Sequence, residues 1–284
     1  MLGGGGGRGA AQVGVLIALF EAGVHAPTEV LGVSVGALNG AVIAGRPSLA
    51  GAQLLHRLWL SPQARGVLHV DWVSLLLGRL RGGAPSALPG ANLERLIQHY
   101  VTMTGIDQFE ELTVPLRVLA TDIARGELRE FGAGELSPAL RASAALPAVF
   151  PPVVIDQVGY MDGGVIDNLP IARAALGGAG VIAISVMAPD RMDHSPMGWA
   201  ELAGRVLQLS LHHRMLAEFA TLPSRARVCV LCPVLPARVG WDMRSELVEW
   251  VIEASRLATL ALLQREGLGL LDRAGVHPFE IGIV

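Results

Sequence analysis

Three short segments of this 284-residue chain carry residue types whose spacing could do chemistry. The first is Gly32-Val33-Ser34-Val35-Gly36, a Gly-x-Ser-x-Gly pattern. A serine so flanked can sit on a sharp strand-to-helix turn, held up toward solvent, while the glycines relieve the crowding of the turn. The helix that follows offers amide donors and positive potential to a developing oxyanion. The second is the run GGGGGRG at residues 3–9, leading into a helix. Without side chains, its backbone N–H groups can converge on an anion. A flexible tail is the competing reading, since polyglycine is disordered by default. Gly4-x-Gly6-x-x-Gly9 also matches a dinucleotide fingerprint, but that motif needs a preceding strand and an acid at the end of the next strand. Here that position is Ser34, and Glu29 comes before the strand, so dinucleotide binding is set aside. The third segment is Asp162-Gly163-Gly164 after the apolar VGYM. It is either a plain turn or an acid presented at a strand end, where open α/β sheets place catalytic groups.

These segments require particular elements around them. EVLGV reads as a strand and ALNGAVIA as a helix, as the serine turn demands. Residues 10–22 are apolar nearly all round and close at Gly23, the signature of a buried helix. VPLRVLATD is a strand with ELREF as its neighbour across a turn. Asn92 opens a helix with Leu93, Leu96, Ile97 and Tyr100 at helical spacing. Ser137-Pro138 predicts a helix start with a hydroxyl N-cap and proline at the first position. Pro170 opens another helix, VIAISVM is a buried strand, and two long helices flank RVCVLCPV. Residues 72–80, WVSLLLGRL, are apolar without clear turns and fit equally a cap over a site or a core helix. Alternating strands and helices predict a mostly parallel sheet covered on both faces, in one domain over residues 1–284.

Composition narrows the function. Apolar residues make up 51% and charged residues 17%, as in a globular chain. The net charge of −3 provides no field for nucleic acid and no polybasic anchor for anionic lipid. All 22 cations are arginine, which excludes a lysine base. Cys229 and Cys232 stand three apart in a strand-like run, so they point to opposite faces and read as packing rather than redox or metal ligands. No apolar stretch reaches membrane-spanning length. A cytoplasmic protein is expected, with at most transient contact at a membrane surface. Oligomeric state is left open.

Taken in order, GGGGRG before a helix, GVSVG, TDIARGELREF, ALRASAALPAVFPPV and YMDGGVIDNLP resemble the patatin-like phospholipases, especially the compact bacterial type. The resemblance covers residues 2–187; residues 188–284 form a more generic helical part. It implies a three-layer α/β/α sandwich and hydrolysis of lipid or other acyl esters, with no cofactor and no metal. Residue by residue, it implies Ser34 as nucleophile, Asp162 as base, and Gly4, Gly5, Gly6 and Arg8 as oxyanion hole. Gly32, Gly36, Gly163 and Gly164 are the motif glycines. In one respect the chain departs from the pattern. Members carry a short strand before the glycine loop, and here only Met1 and Leu2 precede it, which leaves the loop short of support.

Two other functions compete. A Ser–His–Asp esterase would draw its base from His194, His212, His213 or His277, which follow Asp162, although none stands in a glycine-rich or turn setting. A catalytically weak relative that binds lipid or a partner is the other, because one fold hosts unrelated roles.

Overall fold

The computed structural model describes residues 1–67, 90–190, 198–236, 239 and 243–282. The apolar segment at residues 72–80 lies outside the described residues, as does His194.

The N-terminal half is built from helices too apolar to face water. α1 (Ala10–Glu21) and α2 (Val35–Gly45) are buried on nearly every side. They flank β1 (Val30–Val33), itself buried at all four positions. α3 (Leu49–Trp59) is amphipathic, and Ser48 caps it by accepting a hydrogen bond from the Gly51 N–H. The short α4 (Pro62–Gly66) is capped in the same way by Ser61. α5 (Gly90–Thr104) begins two residues earlier than Asn92 and buries Leu93, Ile97 and Tyr100 along one stripe.

The remaining elements follow as β2 (Leu116–Asp122), β3 (Glu127–Phe131), α6 (Leu136–Ser143), β4 (Val153–Ile155), β5 (Val158–Asp162), α7 (Ile171–Ala175) and β6 (Val181–Ile184). α8 (Trp199–Ala220), β7 (Val228–Val234), α9 (Ser245–Glu266) and β8 (Gly275–Glu280) complete the order. The expected cap at Ser137 is not found. Glu135 holds the cap position of α6, and Ser137 lies inside the helix, donating to Asp107 Oδ1 at 2.5 Å. A carboxylate outside the helix offers that hydroxyl a stronger acceptor than its own backbone does.

One sheet runs through these strands. β1 pairs parallel with β2, and β6, β7 and β8 pair parallel with one another. β3, β4 and β5 add antiparallel pairings at the β2 end. Between β1 and β6 sits Leu2, bridged in parallel to Gly32 on one side and to Ile184 on the other. Leu2 N–H donates to Leu31 O at 2.9 Å, and Leu2 O accepts from Val33 N–H at 3.1 Å. On the far side Ile184 N–H donates to Met1 O at 3.0 Å and Gly3 N–H donates to Ile184 O at 3.2 Å. Two residues therefore fill the strand position that the sequence leaves in question, and the glycine loop leaves the sheet already tied on both edges.

The period-2 alternation of β7 separates the layers. Val228, Val230 and Cys232 pack with Ile171 and Met215 on the side of α7 and α8. Cys229 and Leu231 pack on the other side, with α1, α2, α3 and α9. The structure is thus a three-layer α/β/α arrangement. The two cysteines face opposite layers, and burial pushes their thiols up to about 11 and about 12.

Candidate active site

Ser34 stands where β1 ends and α2 begins. Its backbone adopts φ 57 and ψ −129, a conformation sparsely populated for a residue with a Cβ. Such strain persists where the surroundings over-determine it. Three contacts do so. Ser34 N–H donates to Ser143 Oγ at 2.9 Å, and that hydroxyl in turn donates to Leu119 O at 2.6 Å. Ser34 O accepts from Ala37 N–H at 2.8 Å. The flanking glycines permit the turn by close approach: a Cβ on Gly36 would lie 2.2 Å from Leu2 O, and one on Gly32 would lie 2.5 Å from Ala37 Cα.

Asp162 reaches Ser34 through the register of β2. β3 occupies one edge of β2 from Val118 to Asp122, so β1 and β5 must share the other edge. β1 pairs there up to Val33–Leu119, and β5, running the opposite way, pairs from Ala120–Asp162 onward. The C-terminal ends of two strands thus meet head to head at Leu119 and Ala120, and each delivers one side chain to the candidate site. Ser34 Oγ donates to Asp162 Oδ2 at 2.5 Å. Asp162 Oδ1 accepts from Gly164 N–H at 2.8 Å, within the tight turn that starts at Gly163. Asp162 is 2% exposed. Burial raises its carboxyl from the usual 3.8 to about 6, opposed by the hydrogen bonds from Ser34 and Gly164.

The glycine loop lies against this pair. A Cβ on Gly4 would sit 3.1 Å from Ser34 Cβ and 2.3 Å from Asn168 Oδ1. Gly4 and Asn168 are tied twice: Gly4 N–H donates to Asn168 O at 3.2 Å, and Asn168 Nδ2 donates to Gly4 O at 3.1 Å. Arg8 N–H donates to Gly5 O at 3.1 Å, closing a short 3₁₀ turn over Gly6–Gly9. The amides of Gly4 and Arg8 are therefore engaged within the fold. The N–H groups of Gly5 and Gly6 have no acceptor among the described residues.

Beneath the loop is a network that sequence reasoning missed. Gln12 Nε2 donates to Gly3 O at 2.7 Å, and Asn39 Nδ2 donates to Gln12 Oε1 at 2.9 Å and to Gly9 O at 3.1 Å. Trp59 Nε1 donates to Asn39 Oδ1 at 2.9 Å. Both amide residues are fully buried, so every partner matters. A signal was available: each is a lone amide inside an otherwise apolar helix. Asn168 and Ser143 were missed too, within segments quoted for other reasons.

Ser34, Asp162 and the loop open on a cavity of about 1010 Å³ whose walls are mainly apolar, including Leu55, Leu58, Ile97, Phe150 and Leu211. No histidine lines it among the described residues. His212 and His213 lie on α8, and His277 lies on the edge strand β8.

A three-layer sandwich with an elbow serine at the end of a central strand defines the class of this chain. Residues 1–175 match the family described as patatin-like phospholipase. The chain is 33% identical over 208 residues to patatin-like phospholipase domain-containing protein 7 of Mus musculus, covering 70% of this chain and 14% of that protein. It is 34% identical over 204 residues to patatin-like phospholipase domain-containing protein 6 of Homo sapiens, with the same two shares. An uncharacterised NTE family protein of Mycobacterium bovis is 32% identical over 174 residues, covering 61% of this chain and 44% of that one. The chain spans about one seventh of the length of the mouse and human relatives. It belongs to the patatin-like phospholipase family.

Proposed function

We propose that this chain hydrolyses acyl esters of lipids through a Ser34–Asp162 dyad. The observation that carries the reading is the 2.5 Å hydrogen bond from Ser34 Oγ to a buried carboxylate, at the head of an apolar cavity. A serine hydroxyl is a poor nucleophile until an adjacent base takes its proton. As Oγ attacks the acyl carbonyl carbon, its proton passes to Asp162 Oδ2 and the carbonyl oxygen becomes an oxyanion. Gly5 and Gly6 N–H supply its donors, aided by the N-terminus of α2. Collapse breaks the ester bond, and the proton returns from Asp162 to the departing alkoxide. Water then attacks the acyl-enzyme with Asp162 again as base, which releases the acid and restores Ser34. A panel of lipids and simple esters, with products read by mass spectrometry, tests the reading. Hydrolysis of no acyl ester by folded protein would refute it.

The raised carboxyl sets a pH dependence. Asp162 must be ionised to accept a proton, and burial holds its carboxyl at about 6. The value of kcat/KM is therefore expected to rise with pH through that region and to level off above it, with one acid-side inflection. An ordinary aspartate would put the inflection near 4. A flat profile between pH 5 and 8 on a soluble ester would contradict the assignment.

Asn168 positions the glycine loop. Asn168→Ala leaves Gly4 O without its side-chain donor and opens space beside Ser34. A stability loss of about 1–3 kcal/mol is expected from the unsatisfied carbonyl. Turnover is expected to fall by roughly 10²-fold, because a displaced oxyanion donor loses most of its worth. Urea titration and initial rates on one soluble ester measure the two effects separately.

A further inference from the structure

Two helices that are otherwise apolar each bury one amide. Gln12 is the sole polar side chain of α1 before Glu21, and Asn39 is the sole polar side chain of α2. Both are almost wholly shut off from water. An aliphatic side chain of similar volume would spare the fold the desolvation of an amide, so stability alone calls for neither. What the two amides hold is the glycine loop. Gln12 Nε2 donates to Gly3 O, and Asn39 Nδ2 donates to Gly9 O. Those carbonyls stand at the two ends of the loop. Between them lie Gly5 and Gly6, whose amides have no acceptor among the described residues. The bond from Asn39 Nδ2 to Gln12 Oε1 joins the two anchors into one piece.

Donor chemistry fixes the direction of every bond in that piece. An indole N–H donates and never accepts, so the atom of Asn39 that faces Trp59 Nε1 must be Oδ1. Asn39 Nδ2 then uses both of its hydrogens, on Gln12 and on Gly9 O. Gln12 presents Oε1 to Asn39 and turns its NH2 toward Gly3 O. Rotating either amide would set carbonyl against carbonyl, so one arrangement alone satisfies every member. The piece also refers the loop and the nucleophile to one helix, since Ser34 caps the N-terminus of α2 and Asn39 lies further along it. Trp59 closes α3, lines the cavity and packs on the last residue of the loop: a Cβ on Gly9 would lie 3.0 Å from Trp59 Cζ2.

Building on the acyl-ester reading of Ser34, we propose that Gln12 and Asn39, oriented by Trp59, are positioning residues for that reaction: they set the Gly5 and Gly6 N–H groups at the place, relative to Ser34 Oγ, where the tetrahedral oxyanion forms. They act through the loop. Their contribution belongs to the transition state, because the donors reach full effect only once the oxygen carries charge, whereas the acyl chain is held by the apolar walls in ground state and transition state alike.

The test separates rate from binding and from folding. Gln12→Leu and Asn39→Leu, in protein shown to be folded by circular dichroism, are each expected to lower kcat on one soluble ester roughly 10²-fold while KM moves less than about threefold. Trp59→Phe keeps a ring on the cavity wall and deletes only the indole N–H, so a fall in kcat of about three- to tenfold is expected. Gln12→Glu gives a signature that packing alone does not. A protonated carboxyl at position 12 can donate to Gly3 O and accept from Asn39 as the amide does, whereas a carboxylate cannot donate. Burial can hold such a group protonated up to about pH 8–9. Its kcat is therefore expected to lie within about tenfold of the unsubstituted chain near neutral pH and to fall as pH rises through that range, where the unsubstituted chain stays level. Hydrogen exchange read by mass spectrometry needs no turnover: in Gln12→Leu the peptide spanning residues 1–9 should exchange about tenfold faster, with α2 as protected as before. Unchanged kcat in a folded leucine variant, a loss carried wholly by KM, or a Gln12→Glu profile level with that of the unsubstituted chain up to about pH 9 would each overturn the proposal. If neither leucine variant folds, Trp59→Phe and Gln12→Glu decide the matter, and exchange is read in Trp59→Phe. An unsubstituted chain that turns over no ester refutes the hydrolase, whereas unchanged exchange at residues 1–9 refutes the anchoring whatever the activity.

Discussion

Ser34→Ala is expected to reduce kcat by on the order of 10⁶ and to abolish covalent labelling by a fluorophosphonate probe. The size follows from the proposed dyad: one hydrogen bond of 2.5 Å joins Ser34 Oγ to Asp162 Oδ2, and in that mechanism removing either end disables the other. Alanine fits the same backbone position, and the contacts that hold the turn from Ser143 and Ala37 involve main-chain atoms of residue 34. The variant should therefore fold as the unsubstituted chain does, which circular dichroism can check. Rates on a soluble short-chain ester and the mass of the labelled protein are the two readouts. If hydrolysis and labelling both survive, Ser34 is not the nucleophile.

Asp162→Asn is expected to be almost as damaging to turnover, and it carries a second signature in stability. Asparagine keeps the shape of the side chain but cannot take the serine proton. The carboxyl of Asp162 lies at about 6 in the folded protein against a usual 3.8, so the folded state binds its proton more tightly than the unfolded state does. Folding is therefore weakened as pH rises from about 4 to about 6, and the full penalty persists above that window. A shift of roughly two units corresponds to about 3 kcal/mol at most. Asp162→Asn should accordingly be more stable than the unsubstituted chain at pH 8, with the difference vanishing near pH 4. Changes at His194, His212, His213 and His277, taken one at a time, should leave turnover within a few-fold. A folded histidine variant losing about 10³-fold while Asp162→Asn stays active would assign the base to histidine instead.

The elements around the candidate site are legible in the sequence because each obeys a local rule. A serine between glycines at a strand–helix junction, and an acid before two glycines at a strand end, both announce themselves within five residues. The buried helices α1 and α2 were equally plain, being apolar on every side. What escaped was chosen by partners far along the chain. Asn168 answers to Gly4, and Ser143 to Ser34 and Leu119, and such pairings leave no periodic trace. β8 escaped for another reason. It is an edge strand with a half-exposed pattern and a proline at 278, so neither alternation nor propensity marks it. Gly4 and Arg8 show how far a motif reaches: the spelling marks the loop, but the hydrogen bonds of its amides to Asn168 and Gly5 leave no trace in it.

The seam at Leu2 bears on the order in which this protein can become complete. Leu2 is bridged to Gly32, thirty residues away, and to Ile184, 182 residues away. The first contact is available early in chain growth; the second must await synthesis of more than half the polypeptide. Contacts of such separation close late, since the loop entropy is lost before the contact repays it. The glycine loop, fastened through Gly3 to Ile184 and through Gly4 to Asn168, shares that delay. A nascent chain that has formed α1, β1 and α2 still lacks Asp162, an ordered loop and the Ser143 hydroxyl that holds the Ser34 turn. Competence then arrives in one step, when β5 and β6 dock on the earlier elements, and fragments ending before residue 184 are expected to bind no fluorophosphonate at all.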